Sequence, residues 1–283
     1  MQKVRIAGVQ MDVLIGEIDE NTDRVIERAR LAAAQEARLI VFPECVLSGY
    51  CFESLEEART FGLTRNSPAF ERLRQAAEEL DIHIVVGFLE LDEERLYNSA
   101  VCVGAAGWVG HYRKVHLPHL GVDRFTTSGA GYEIVTLPGH DLRVGMNICY
   151  DCSFPEAARV LMLGGADLIV LPTNWPPTSG LTADIIPNAR ALENNVYVMT
   201  VNRIGAERGF EFIGKSKICD PRGANIAFAD HRNEEIIVAD IDPAWSRRKH
   251  LVNIPGQHEV HRVNDRHPET YRSIADPKCQ NPF

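Results

Sequence analysis

Along this chain, short and nearly continuous apolar runs alternate with longer stretches in which apolar residues return every three or four positions. That alternation marks buried strands joined by amphipathic helices. Residues 4–10 read as the first strand, with Ile6 and Val9 apolar. Residues 21–36 read as a helix, because Val25, Ala29, Ala32 and Ala33 fall at i, i+4, i+7 and i+8. Residues 38–44 follow as a buried strand whose run Leu39-Ile40-Val41-Phe42 ends at Pro43-Glu44. Ser67 is placed to cap a second helix, with Pro68 at its first position and Phe70, Leu73, Ala77 and Leu80 as its stripe. Strands are expected at 82–91, 97–103 and 108–113, separated by turn-like Asp92-Glu93-Glu94 and Gly104-Ala105-Ala106-Gly107.

The second half repeats the rhythm. Residues 142–149 read as a strand, 153–163 as a helix, 167–171 as a strand, 183–193 as a helix and 196–201 as a strand. Strands at 213–219, 225–228 and 235–241 complete the pattern, and Arg247, Arg248 and Lys249 decorate a helix after Asp242-Pro243. Strands interleaved with helices predict an α/β fold, and no Gly/Ser linker divides it. One domain over residues 1–260 is expected, with the polar stretch 261–283 as an arm on the body or on a neighbouring subunit.

At 283 residues and 45% hydrophobic content the chain has ample material for a core. A net charge of −9 argues against a general nucleic-acid surface. No signal-peptide core and no apolar stretch of membrane-spanning length stands out, so no membrane partner and a cytoplasmic location are expected. The seven cysteines, at 45, 51, 102, 149, 152, 219 and 279, are odd in number and scattered, which suits reduced thiols.

Cys149 has the most telling neighbours. The strand ends at it, Tyr150 and Asp151 turn the chain, and Ser153-Phe154-Pro155-Glu156 opens a helix with the spacing of a capping box. A thiol between a strand end and a helix N-terminus meets unpaired N–H groups and a positive dipole end, which lower its pKa and bind a developing oxyanion. Cys149 is therefore a candidate nucleophile. Glu44, after an apolar strand, is a candidate general base or a salt-bridged strand-end glutamate. Lys114, just past the strand 108–113, supplies a cation for an oxyanion. Thiolate, carboxylate and ammonium together suit attack on a carbonyl-type carbon.

Three stretches resemble the signatures of the nitrilase superfamily of carbon–nitrogen hydrolases: Phe42-Pro43-Glu44, Tyr112-Arg113-Lys114-Val115-His116-Leu117-Pro118, and Ile148-Cys149-Tyr150-Asp151 with Phe154-Pro155-Glu156. Further similarity lies in Leu171-Pro172-Thr173-Asn174-Trp175, in 190–195, in Asn202-Arg203 and in 214–216. The resemblance implies a four-layer α-β-β-α sandwich, a homodimer or larger homo-oligomer, and a Glu44–Lys114–Cys149 triad. It implies that the N–H of Tyr150 completes an oxyanion hole and that no cofactor or metal is needed. Many members of the superfamily carry a second glutamate after the lysine segment. Here the stretch is Leu120-Gly121-Val122-Asp123-Arg124-Phe125, and Asp123 is the acidic residue at that place.

Other features have plainer readings. Glu156 and Cys152 read as structural, and His111, His116 and His119 lack ligand spacing for a metal. Asn174 and Trp175, at the carboxyl end of the strand 167–171, are candidate pocket residues, as are Tyr50 and Phe52. The expected activity is hydrolysis of a small carboxamide to acid and ammonia through a cysteine thioester. The alternatives are an N-carbamoyl amidohydrolase, a nitrilase or an acyl transferase; Arg190, Arg203 and Arg208 are available to pair a substrate carboxylate.

Overall fold

Two six-stranded mixed sheets form the centre of the protein in the computed structural model, which describes residues 3–230 and 232–276. Cys279 and the end of the polar stretch lie outside the described residues. The strands are β1 (Val4–Gln10), β2 (Leu39–Val41), β3 (His83–Asp92), β4 (Arg95–Gly104), β5 (Gly107–Arg113), β6 (Ile134–Thr136), β7 (Arg143–Met146), β8 (Leu168–Thr173) and β9 (Tyr197–Asn202). After them come the two-residue β10 (Ala206–Glu207) and β11 (Phe210–Glu211), then β12 (Lys217–Cys219), β13 (Asn225–Phe228) and β14 (Glu235–Ile241). The helices are α1 (Ile18–Ala33), α2 (Leu55–Thr60), α3 (Pro68–Leu80), α4 (Pro155–Leu163), α5 (Gly180–Asn194) and α6 (Pro243–Arg247).

The first sheet has the order β14-β1-β2-β3-β4-β5 and the second β13-β12-β9-β8-β7-β6. In each, three central strands run parallel: β1, β2 and β3 in one, and β7, β8 and β9 in the other. Alternate side chains decide the layers. Ile6, Leu39, Val41 and Val85 share one core with Val144, Met146, Leu168, Val170, Met199 and Val201, so the two sheets pack face to face. Ala7, Val9, Ile40, Ile84 and Val86 form a second core with Val25, Ala29 and Ala32 of α1 and Phe70, Leu73 and Ala77 of α3. On the far side Gly145 of β7 leaves just enough room for Leu161 of α4. The architecture is the expected α-β-β-α sandwich. Within the described residues 248–276, which belong to a separate compact unit, His250–Ile254 pair with His258–His261 as an antiparallel hairpin, followed by the 3₁₀ turn Pro268–Thr270 and the short helix α7 (Arg272–Ala275).

Several element ends differ from expectation, each for a local reason. The first helix begins at Ile18, because the Asn21 side chain turns inward to bond the Leu14 backbone. The strand expected over 38–44 stops at Val41: Phe42 donates to the Val85 carbonyl at 2.9 Å, and Pro43 has no N–H with which to continue. The strand expected over 142–149 stops at Met146, and Cys149–Ser153 form a 3₁₀ turn. That turn occupies Ser153, so Phe154 is the N-cap of α4 and the Ser153–Glu156 capping box does not form. Only Lys217–Cys219 of the stretch 213–219 joins the sheet, since Gly214 and Lys215 both adopt positive φ. Sequence periodicity missed α2, whose cap is Ser54 accepting from Glu57 N–H, and the three-residue β6.

Glu90 on β3 is buried and accepts from Ser99 at 2.6 Å, from His111 at 2.8 Å and from Arg113 at 2.6 and 2.9 Å. Burial raises its carboxyl, but these donors outweigh burial and hold it at about 2. A depressed carboxyl contributes stability above its ordinary 4.5 and loses it as pH falls toward 2. Glu90→Gln is expected to cost about 1–3 kcal/mol near neutral pH. In chemical denaturation the difference from wild type should shrink steadily below pH 4.5; a pH-independent difference would reject this ion network as its source.

Candidate active site

Glu44 stands where the β2 strand gives out, and a glycine lets it come close to the neighbouring strand. A Cβ at Gly87 would lie 2.4 Å from the Cys45 nitrogen and 2.8 Å from the Glu44 Cα, so only glycine admits this backbone contact. Cys45 then takes a positive φ of 50° and turns the chain toward Tyr50. The Glu44 side chain ends up fully buried.

Lys114 arrives from the end of β5. Its N–H donates to the Asn98 carbonyl at 2.8 Å, and its ammonium, with no exposure to solvent, donates to Glu44 Oε1 at 2.8 Å and Asp123 Oδ2 at 2.6 Å. Burial pulls the ammonium pKa down, yet Asp123 and Glu44 more than reverse this and the group stays charged. Asp123 sits in the 3₁₀ turn Gly121–Arg124 and also accepts from Tyr50 Oη at 2.8 Å. Gly121, at φ +49°, packs under the Tyr50 ring; a Cβ there would lie 2.1 Å from it. Asn98 on β4 completes the cluster, its Nδ2 donating to Glu44 Oε1 at 2.7 Å and Asp123 Oδ1 at 2.8 Å.

Cys149 opens the 3₁₀ turn at φ +45°. The turn is held by Asp151, which is fully buried. Asp151 accepts from Ile148 N–H at 2.9 Å and from Tyr112 Oη at 2.7 Å. His116 gives it a further backbone N–H at 3.0 Å and its Nδ1 at 2.8 Å. One carboxylate thus ties the cysteine turn to both flanks of Lys114. Burial first, then the charge of Glu44, push the Cys149 thiol well above its usual range; Lys114 and a backbone N–H of Asn174 oppose this. The expectation of a thiol lowered by a helix end is therefore corrected, because desolvation of the thiolate exceeds what the nearby donors return.

The remaining candidates divide. Asn174 is buried, and its Nδ2 donates to the Glu44 carbonyl at 3.0 Å. Trp175 is buried in the apolar cluster that includes Cys149 and Cys152, and its backbone N–H donates to Asn202 Oδ1 at 2.8 Å. Tyr50 touches Asp123, whereas Phe52 stacks on Phe61 at 5.3 Å, in the apolar cluster that holds Tyr50. The Tyr150 side chain is 39% exposed and packs edge-on against Phe154. Cys152 is a buried thiol raised to about 12 by desolvation. Asn98 and Asp151 escaped the sequence reading. An asparagine within an apolar strand gives no signal by itself, whereas Asp151, next to the cysteine turn, could have been suspected from its position.

Two buried oxygens have no hydrogen-bond partner in this cluster, Glu44 Oε2 and Asn174 Oδ1. Buried acceptors are costly unless something donates to them. Ammonium, free carboxylate oxygen and thiol gathered in one buried place can transfer a proton and neutralise an oxyanion.

The carbon-nitrogen hydrolase family model matches residues 5–249. The chain belongs to this family. It is 39% identical to a nitrilase of Pyrococcus abyssi over 88% of this chain and 93% of that one. It is 32% identical to an (R)-stereoselective amidase of Pseudomonas sp. over 87% and 88%. Among solved structures, Saccharomyces cerevisiae Nit3, of the nitrilase superfamily, superposes with a TM-score of 0.79 at 27% identity, covering 90% of this chain and 96% of that one. An amidase of Nesterenkonia sp. AN1 shares the fold at a TM-score of 0.77 and 23% identity, over 95% of each chain. In this carbon-nitrogen hydrolase the cluster lies within the matched residues.

Asp151→Ala is expected to lower the thermal midpoint, because Ile148 N–H and the Tyr112 hydroxyl lose a charged acceptor worth about 1.5–3 kcal/mol per bond. The Cys149 turn should loosen with it, and amide hydrogen exchange at 147–152 should accelerate. Unchanged exchange there would show that the 3₁₀ turn holds itself.

Proposed function

We propose that the protein hydrolyses a small carboxamide to its acid and ammonia through a thioester on Cys149. The observation that carries this reading is the unsolvated Lys114 ammonium beside Glu44, with Glu44 Oε2 left unpartnered. In the resting state the thiol is neutral, since burial and Glu44 both disfavour the thiolate. Cys149 Sγ attacks the amide carbon as its proton passes to Glu44 Oε2. The carbonyl oxygen becomes an oxyanion facing Lys114 and the Tyr150 N–H. Collapse returns the proton to nitrogen and ammonia leaves. Water then gives a proton to Glu44, attacks the thioester, and releases the acid while sulfur recovers its proton. Asp123 and Tyr50 hold the ammonium in place, and Asn174 and Trp175 line the substrate side.

An amide is placed ahead of an N-carbamoyl amino acid because the arginines considered for its carboxylate are engaged. Arg190 donates to the Cys152 carbonyl and Glu193, each at 3.0 Å. Arg203, fully buried, pairs with Glu207 and with Asp12 at 2.8 Å. Arg208 pairs with Glu57. A cytoplasmic, reducing setting suits the six free cysteines of the described residues. No described helix is long and apolar enough to cross a membrane. The homo-oligomer reading draws on α4 and α5, which expose Val160, Leu163, Leu181 and Ile185. Light scattering should find a dimer or larger species, and Leu181→Glu with Ile185→Glu should shift it toward monomer; a monomeric wild type would reject this.

The activity test is ammonia release from a panel of small amides, N-carbamoyl amino acids and nitriles. Cys149→Ala and Glu44→Gln are each expected to lose at least about 10³-fold in kcat. Because burial raises the Glu44 carboxyl and a base acts only when deprotonated, the acid limb of kcat/KM should lie above 4.5. Release undiminished in Cys149→Ala would overturn the mechanism, and release from nitriles alone would overturn the substrate.

A further inference from the structure

Two carboxylates and one ammonium leave a net negative charge in a place without solvent. The Glu44 and Lys114 side chains and that of Asp123 all have zero exposure. Like-charged carboxylates at such range either share a proton or need further donors. The further donor is Asn98. A primary amide nitrogen carries two hydrogens in one plane, and Asn98 Nδ2 sends them to different carboxylates, to Glu44 Oε1 at 2.7 Å and Asp123 Oδ1 at 2.8 Å. Lys114 Nζ bridges the same two carboxylates, donating to Glu44 Oε1 at 2.8 Å and to the other Asp123 oxygen, Oδ2, at 2.6 Å. The four side chains close a ring in which ammonium and amide alternate with the carboxylates.

The ring fixes which oxygen of Glu44 is free. Oε1 is taken by both Lys114 and Asn98, and Oε2 by neither. The backbone of β4 is equally committed, because the Asn98 carbonyl accepts the Lys114 N–H at 2.8 Å. One residue thus places the lysine through its carbonyl and the carboxylates through its amide. Its Oδ1 meets the Cys45 Sγ at 3.5 Å, which keeps the amide from turning over. The other titratable groups around the ring are Cys45, Cys149 and the Tyr50 hydroxyl.

We propose that Asn98 is a positioning residue whose amide spaces Glu44 from Asp123 and leaves Glu44 Oε2 as the sole oxygen for the Cys149 proton. This rests on the reading of Glu44 as the base for Cys149. A buried asparagine that merely fills β4 would affect stability and nothing else.

The test compares wild type with Asn98→Ala and Asn98→Asp in two assays across pH. One is hydrolysis of the best amide; the other is iodoacetamide alkylation of Cys149 followed by intact mass, which needs no substrate. Loss of a donor that favours the charged carboxylate raises the Glu44 pKa, so the acid limb moves to higher pH in both assays. In Asn98→Ala kcat should fall about 10- to 100-fold, as for loss of one hydrogen bond to a charged group, with KM within about threefold. Asn98→Asp, the same shape but a third carboxyl, should move the limb further in the same direction. Unmoved limbs and an unchanged kcat, with only a lower melting point, would overturn the proposal. If Asn98→Ala fails to fold, Asn98→Ser and Asn98→Asp carry the same comparison. Wild-type silence toward all amides would sink the substrate reading, whereas the alkylation limb still decides Asn98.

Discussion

The Lys114 ammonium, fully removed from water between Glu44 and Asp123, is the constraint on which the rest of the site depends. Burying a charge costs several kcal/mol even after relaxation, and the cost is recovered only when charged partners and further hydrogen bonds meet it with good geometry. Here the partners come from sequence-distant places: the end of β2, the end of β5, the turn Gly121–Arg124, and Asn98 on β4. No local segment could hold such a group, so the fold must be complete before the ammonium can be buried. Removing both carboxylates would strand a buried cation, at a cost of about 3–5 kcal/mol.

The two stacked sheets supply the rigidity that this arrangement demands. Glu44 and Lys114 extend from the first sheet, and Cys149 follows β7 of the second. Apolar packing between sheets sets their spacing but has no direction; Asp151 supplies it. By joining Ile148 N–H to Tyr112 and His116, it fixes the cysteine turn against the strand end that carries Lys114. Gly87 and Gly121 serve the same end by removing side chains, one letting Glu44 approach β3 and the other seating Tyr50.

Much of the fold could be read from periodicity, because parallel strands buried on both faces give continuous apolar runs and α1 and α3 give clean stripes. What failed was at the ends. Pro43 and the positive φ of Cys45 stop one strand early, and the 3₁₀ turn at Cys149–Ser153 displaces a capping box that the spacing of Ser153 and Glu156 suggested. Those are the points where chain geometry serves the site and not the sheet. Glu44, Lys114 and Cys149 could be singled out because each is a charged or reactive residue at an apolar boundary, and Asp123 through the resemblance, as the acidic residue where many members of the superfamily carry a second glutamate. Asn98 could not, since its importance lies in a contact pattern that only the folded chain creates. The sign of the thiol shift was also misjudged, because sequence shows a helix start but not how completely the sulfur is buried.

That sign bears on the chemistry. A thiol held neutral is a poor nucleophile until a base takes its proton, which at first argues against Cys149 as the attacking group. Yet the same low dielectric strengthens every charge that develops during attack. In the proposed reaction, as sulfur gives its proton to Glu44, that carboxylate loses its charge and no longer opposes an anion nearby. The Lys114 ammonium, until then balanced by two carboxylates, is left facing the new oxyanion. On that proposal proton transfer does two things at once: it makes the nucleophile and it leaves the cation with one charged carboxylate in place of two. On this account the raised thiol pKa is a consequence of the environment that favours the transition state, because the resting site is electrostatically closed and opens only along the reaction.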